Sequence, residues 1–270
     1  MRGFGAIAVK DAISALSPAF VVGARFGAAG IILLLFQWRR IFQQWNWQLA
    51  SHGAIMGMLT GAVFLLHHAG MTTLSPAESS FLISTYCVIT PFITWAWRHQ
   101  TPQWQAWLAS GLCVFGIWLL FNRGPMGHFA LGAWLTLGGA ALFAVQIVAT
   151  AAFTQNEDPL SLTTVQFLVA GAIGFLAFAL TGAQAEPLSV EPGNVLQIAY
   201  LVMFSTLLAT TMQNEGAKRI APWKTALFLS MEAPFATLAS LAAGYAILDA
   251  PTFVAFAAII AAVVLSAKTQ

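Results

Sequence analysis

The chain has 270 residues, 59% of them hydrophobic and 7% charged, with a net charge of +2. Soluble domains carry roughly 25% charged residues, so a soluble fold of this size is excluded for want of a surface that water can solvate. The small net charge gives no footing for nucleic acid, and 10 Trp with 21 Phe fit a lipid-facing surface with aromatic belts at its interfaces.

The apolar runs follow one another closely. Gly3 to Ser17 is shorter than the ~20 residues of a full span, and Lys10 and Asp11 interrupt it. It reads as the second half of a first helix. Pro18 to Gln37 is long enough to cross, carries Arg25 about two turns in, and ends on the basic, aromatic Trp38-Arg39-Arg40. Further spans are expected over Gly53–Thr73, Pro76–Trp97, Trp104–Phe121, Ala130–Phe153, Leu160–Thr181, Val195–Met212, Thr225–Leu248 and Pro251–Ala267. Polar turns separate them, among them Asn122-Arg123-Gly124-Pro125 and Gln155-Asn156-Glu157-Asp158-Pro159. The count is ten. Cytoplasmic loops are enriched in Lys and Arg. With the N-terminus inside, that side holds Arg39, Arg40, Arg98, Lys218, Arg219, Lys224 and Lys268, and the opposite side holds Arg123. Both termini are therefore expected in the cytoplasm. Cys87 and Cys113 fall inside apolar runs and read as buried thiols, with no disulfide or metal site implied.

The chain also repeats itself. A shift of 146 residues lays Gly70…Leu74-Ser75-Pro76…Ser84 on Gly216…Ile220-Ala221-Pro222…Ser230. Upstream, Pro18…Arg25-Phe26…Ala29-Gly30 falls on Pro159…Gln166-Phe167…Ala170-Gly171. Each half then has five spans. An odd number makes the second half enter the membrane from the opposite side, the plan of alternating-access carriers.

One residue stands out chemically. Glu232 lies in the middle of the Thr225–Leu248 run, where an ionised group costs at least about 2.5–3.5 kcal/mol. Pro234 follows two positions later and is expected to break the helix there. Glu232 can bind a proton whose occupancy changes with the access state, or balance a cationic amine on a substrate; a structural acid is the plain alternative. Under the shift Tyr86 is its partner, and Ser84 pairs with Ser230; both serines can instead satisfy their own helix backbone. His67-His68 fall on Gln213-Asn214, and adjacent residues on a helix point about 100° apart, so the two imidazoles cannot grip one metal. His67, Gln213 and mid-span Gln146 are candidates for reading a polar substrate group, and no metal is expected. Arg25 is expected to snorkel or to pair with Asp11. Ala233, Ala236, Thr237, Ser240 and Gly244 form a small-residue packing seam.

Leu16-Ser17-Pro18 with Gly23-Ala24-Arg25-Phe26, Phe81-Leu82-Ile83-Ser84-Thr85-Tyr86…Thr90-Pro91, and Ser230-Met231-Glu232-Ala233-Pro234-Phe235 resemble the drug/metabolite transporter superfamily, EamA type. The resemblance covers essentially the whole chain. It implies an all-α integral membrane protein of ten helices in two inverted five-helix repeats, 1–122 and 129–268, around a central cavity. It implies secondary transport, as an exporter, of small amphipathic metabolites such as amino acids or drugs, without a cofactor. The partners are then a small-molecule substrate and the lipid bilayer of a bacterial inner membrane, with the protein a monomer or a homodimer. Two other readings are a membrane-embedded enzyme on a lipid-linked substrate and a truncated, non-functional carrier paralogue. No H-E-x-x-H, G-x-S-x-G or pair of acids at helical spacing supports the enzyme, and no G-x-x-x-x-G-K loop supports an ATP motor.

Overall fold

The structure is a computed structural model that describes residues 2–99, 104–121, 131–181 and 192–235, with isolated positions between 238 and 264. It is all-helical: no strand occurs among the described residues. In chain order the helices are α1 (Arg2–Ala15), α2 (Pro18–Gln44), α3 (Trp47–Met71), α4 (Pro76–Ile83), α5 (Tyr86–Arg98), α6 (Trp104–Phe121), α7 (Leu131–Phe153) and α8 (Pro159–Thr181). Then come α9 (Pro192–Tyr200), a π-helical segment (Leu201–Leu208), α10 (Ala209–Ala217) and α11 (Pro222–Ser230). Among the described residues six stretches are long and apolar enough to cross a membrane: α2, α3, Glu78–Trp97 through α4 and α5, α7, α8, and Val195–Ala217 through α9 and α10. The ninth and tenth expected spans fall mostly outside the described residues.

Three helix starts follow from chemistry local to the chain, while α3 begins at Trp47, ahead of the expected Gly53. Ser17 caps α2, accepting from the Phe20 amide at 3.1 Å, and Pro18 takes the first helical position. Asp158 does the same for α8 through the Ser161 amide at 2.9 Å, with Pro159 next. Ser75 and Glu78 form a reciprocal capping box before Pro76 opens α4. Between α1 and α4, Lys10 Nζ donates to the carbonyls of Met71 and Leu74 at 2.6 and 2.9 Å. A cation there closes the end of α3, whose last carbonyls have no partner within the helix.

Three other helices differ from the expected runs. α2 continues past Gln37 to Gln44, with a kink at Gln37 (φ −131°, ψ 23°). There the Gln37 amide donates to the Leu160 carbonyl at 3.2 Å and to Thr164 Oγ1. The fourth run is two helices, and the eighth carries a π-helical turn.

The centre of the fold is the crossing of α2 and α8. A Cβ on Gly171 would lie 2.5 Å from the backbone nitrogen of Gly27, and Gly174 meets Gly23 in the same way. Such close approach needs small residues, because lipid offers no hydrophobic drive and helices associate by packing. Phe26 and Phe167, counterparts in the repeat, meet with their rings tilted at 56° and centroids 5.7 Å apart. α3 packs along both α7 and α8. A second core joins Tyr86, Phe143, Ile147, Trp223 and Leu227, and so links α5, α7 and α11. Outside these cores Leu35, Phe36, Leu176, Leu180 and Leu196 are exposed, as lipid-facing residues are. Trp38, Trp45, Trp47, Trp95, Trp97 and Trp104 are exposed around the α2–α3 and α5–α6 turns, where an aromatic belt belongs.

Candidate functional site

Two helices break in mid-run at equivalent places. α4 ends at Ile83 and α5 starts at Tyr86; just past Ser84 amides reach back three residues, Thr85 N to Leu82 O at 3.2 Å and Cys87 N to Ser84 O at 3.0 Å. Hydroxyls add a second donor to carbonyls that already accept from backbone amides: Ser84 Oγ donates to Ser80 O and Thr85 Oγ1 to Leu82 O, both at 2.7 Å. In the second half α11 ends at Ser230, Met231 forms the turn, and helix resumes at Glu232. Ser230 Oγ donates to the Leu227 carbonyl at 2.7 Å. The break was expected at Pro234 and lies at Met231. A proline lacks the N–H that would bond the carbonyl four residues earlier, here Ser230, so the ladder opens a turn upstream.

Tyr86 and Glu232 thus each stand first after a break. Tyr86 is buried, with its ring edge-on to Phe143 at 4.8 Å. Glu232 is half-buried, and its neighbour Met231 packs on the core cluster that holds Tyr86. Ser84 and Ser230 are buried with their protons committed to their own helices. His67 is half-buried on α3, its ring 6.1 Å from that of His68, and among the described residues its Nε2 has no hydrogen-bond partner. Gln213 is 8% exposed on α10. Gln146 is buried on α7 and donates to Thr60 Oγ1 at 3.0 Å. Cys87 is buried, and the Cys113 side chain lies outside the described residues. Of the small-residue seam, Ala233 is buried; Ala236, Thr237, Ser240 and Gly244 lie outside the described residues.

Arg25 departs from expectation. It is 2% exposed and does not snorkel. Its guanidinium runs inward from α2 to the π-helical segment and α3: Nε donates to Thr206 Oγ1 at 2.8 Å, one NH2 group to Ser205 Oγ at 3.3 Å, and the other lies 3.4 Å from His68 Nε2. A guanidinium only donates, so His68 Nε2 is the acceptor and the ring proton sits on Nδ1. The Phe26 and Phe64 rings lie 5.0 and 4.8 Å from its central carbon, which adds cation–π attraction where water is scarce. Burial of a charge is tolerable only with such a set of partners.

A second network was not foreseen. Gln166 Nε2 donates to Thr60 Oγ1 at 2.7 Å, and Asn214 Nδ2 donates to Gln166 Oε1 and to Thr163 Oγ1, both at 2.8 Å. All four residues are buried. The signal was present in the repeat, where Gln166 lies opposite Arg25 and Asn214 opposite His68. Hydropathy alone ranks these positions as ordinary interruptions of apolar helices. Among the described residues no cluster of three or more His, Cys, Asp or Glu could hold a metal ion.

A helical membrane protein whose helices break in mid-run, with a carboxylate at one break and two polar networks buried between its helices, has the makings of a transport protein. The chain belongs to the EamA-like transporter family, whose model matches residues 1–122 and 130–268. An uncharacterised transporter of Archaeoglobus fulgidus is 24% identical, over 96% of this chain and 80% of its own. The uncharacterised inner membrane transporter YedA of Escherichia coli is 23% identical, over 95% of this chain and 84% of its own. A solved crystal structure superposes with a TM-score of 0.75 at 16% identity, covering 98% of this chain and 95% of that one; it shares the fold. The chain is thus a multi-pass membrane protein, placed among transporters rather than enzymes.

Proposed function

We propose that this protein is a secondary active carrier, an exporter of small amphipathic metabolites such as amino acids or drugs, working by alternating access. Its ten helices form two inverted five-helix repeats, 1–122 and 129–268, in a bacterial inner membrane with both termini cytoplasmic. The observation that carries the reading is the pair of equivalent helix breaks, Ser84–Thr85 and Met231, each followed by a side chain suited to a transport site. Discontinuous helices free backbone groups at mid-depth, where a carrier binds its cargo. Glu232 is the proton-coupling group and touches substrate; Tyr86, Ser84, Ser230, His67, Gln146 and Gln213 line the same path.

Flux through proteoliposomes tests this. A panel of amino acids and cationic drugs is measured with and without a pH gradient, for wild type and Glu232→Gln. The expected result is gradient-driven flux in wild type and loss of the gradient response in the variant. Equal gradient responses in the two proteins would remove Glu232 from the coupling role.

A further inference from the structure

The two polar networks are counterparts, residue by residue. Arg25 meets Thr206 and His68; Gln166 meets Thr60 and Asn214. Thr60 and Thr206 are related by the same shift of 146 that relates His68 to Asn214. The two networks differ in their donors. A guanidinium brings five N–H groups and no acceptor, whereas a glutamine amide brings two N–H groups and an oxygen.

The protons fix how the second network is oriented. Thr60 Oγ1 donates to the Met56 carbonyl at 2.8 Å, so its oxygen can only accept, and it accepts from both Gln146 and Gln166. Gln166 Oε1 therefore faces Asn214 and takes one of its N–H groups. The other goes to Thr163 Oγ1, whose own proton goes to the Pro159 carbonyl at 2.6 Å. Among the described residues Gln146 Oε1 and Asn214 Oδ1 are left as buried acceptors without a donor. Thr150 Oγ1, one turn along α7 from Gln146, likewise has no partner among them. All three residues are at most 1% exposed. A buried acceptor without a donor costs about 1–3 kcal/mol, which a ligand that brings N–H groups would offset.

We propose that the second network is a subsite for a small organic cation bearing N–H donors, an ammonium or guanidinium group of the transported molecule. The cation does in the second half what the Arg25 side chain does in the first: it donates to neutral oxygens that the protein leaves without donors. The oxygens are sealed from solvent in this conformation. The cation therefore enters when α7 or α10 moves, and is held dehydrated when they close. This inference rests on the carrier reading and adds the class of substrate.

Binding tests it without requiring flux. The purified full-length protein in detergent is unfolded thermally with methylguanidinium, methylammonium, tetramethylammonium or sodium chloride at equal ionic strength. The first two are expected to raise the melting temperature saturably, as a ligand of the folded state does, and the last two are not. Gln166→Arg places in the second network the guanidinium that the first already holds, and is expected to abolish the response. Asn214→Leu is expected to weaken it about tenfold or more, as the loss of a hydrogen bond to a charged group does. The proposal falls if neither N–H cation acts on the wild type. It falls equally if tetramethylammonium or sodium acts as strongly, or if folded Gln166→Arg responds like wild type. The wild-type series decides the matter even if a variant fails to fold. Saturable binding without flux would keep the subsite and overturn the carrier reading; flux of neutral compounds without cation binding would do the reverse.

Discussion

Arg25 and Gln166 stand at matching places in the two halves, and each gives its side chain to a threonine of the other half: Arg25 Nε to Thr206 Oγ1 at 2.8 Å, and Gln166 Nε2 to Thr60 Oγ1 at 2.7 Å. The two bonds tie the halves together on either side of the α2–α8 crossing. They also separate two chemistries, one network charged and one neutral.

Truncating Arg25 leaves His68, Ser205 and Thr206 short of a donor in a dry interior. Arg25→Ala is expected to cost about 2–4 kcal/mol of stability, above the usual range for a point substitution. The pair Arg25→Gln with His68→Asn rebuilds the neutral pattern of the second half and is expected to recover part of the loss. Thermal unfolding in detergent compares the three proteins, and a double variant no better than Arg25→Ala would count against the equivalence of the networks.

Glycine has unequal value along these helices. A Cβ on Gly171 would meet the backbone of Gly27 at 2.5 Å, and backbone cannot give way as a side-chain tip does. Among the described residues nothing lies within 4 Å of a Cβ on Gly111. Gly171→Ala is expected to lower the melting temperature clearly. Gly111→Ala is expected to be neutral or to stabilise by up to about 1 kcal/mol, the helix-propensity gain. The same unfolding assay reads both.

Asp158 has two tasks. It caps α8 through the Ser161 amide and hydroxyl, both at 2.9 Å, and it pairs with Arg40. Arg40 is 52% exposed, so the ion pair is screened and contributes about 0–1 kcal/mol. Loss of the cap costs about 0.5–2 kcal/mol. Asp158→Ala is therefore expected to destabilise more than Arg40→Ala, and Asp158→Ser to restore most of the difference. Equal losses in Arg40→Ala and Asp158→Ala would show the ion pair to be the larger contribution.

The proposed orientation, with both termini cytoplasmic, rests on the distribution of Lys and Arg. In a background lacking Cys87 and Cys113, a cysteine at Lys218 is expected to resist a membrane-impermeant thiol reagent in intact cells. One at Arg123 is expected to react. Labelling of the first and protection of the second would invert the topology.

Much was readable in the chain. Charge scarcity fixed the membrane class, because a surface without charge can face only lipid. Ser17-Pro18, Ser75-Pro76 and Asp158-Pro159 fixed helix starts, since a capping side chain and a proline without an N–H act through their immediate neighbours. The partners of Arg25 were not readable. In lipid both the outside and the core of a bundle are apolar, so hydropathy does not tell a helix which face turns inward. Arg25 and Thr206 are 181 residues apart, and only the packing of α2 against the π-helical segment brings them together. Likewise Pro234 announced a helix break, but that the turn falls at Met231, with Glu232 first beyond it, was decided by the fold. The amide orientations of Gln146, Gln166 and Asn214 are likewise tertiary: each depends on where a neighbouring helix's hydroxyl sends its proton.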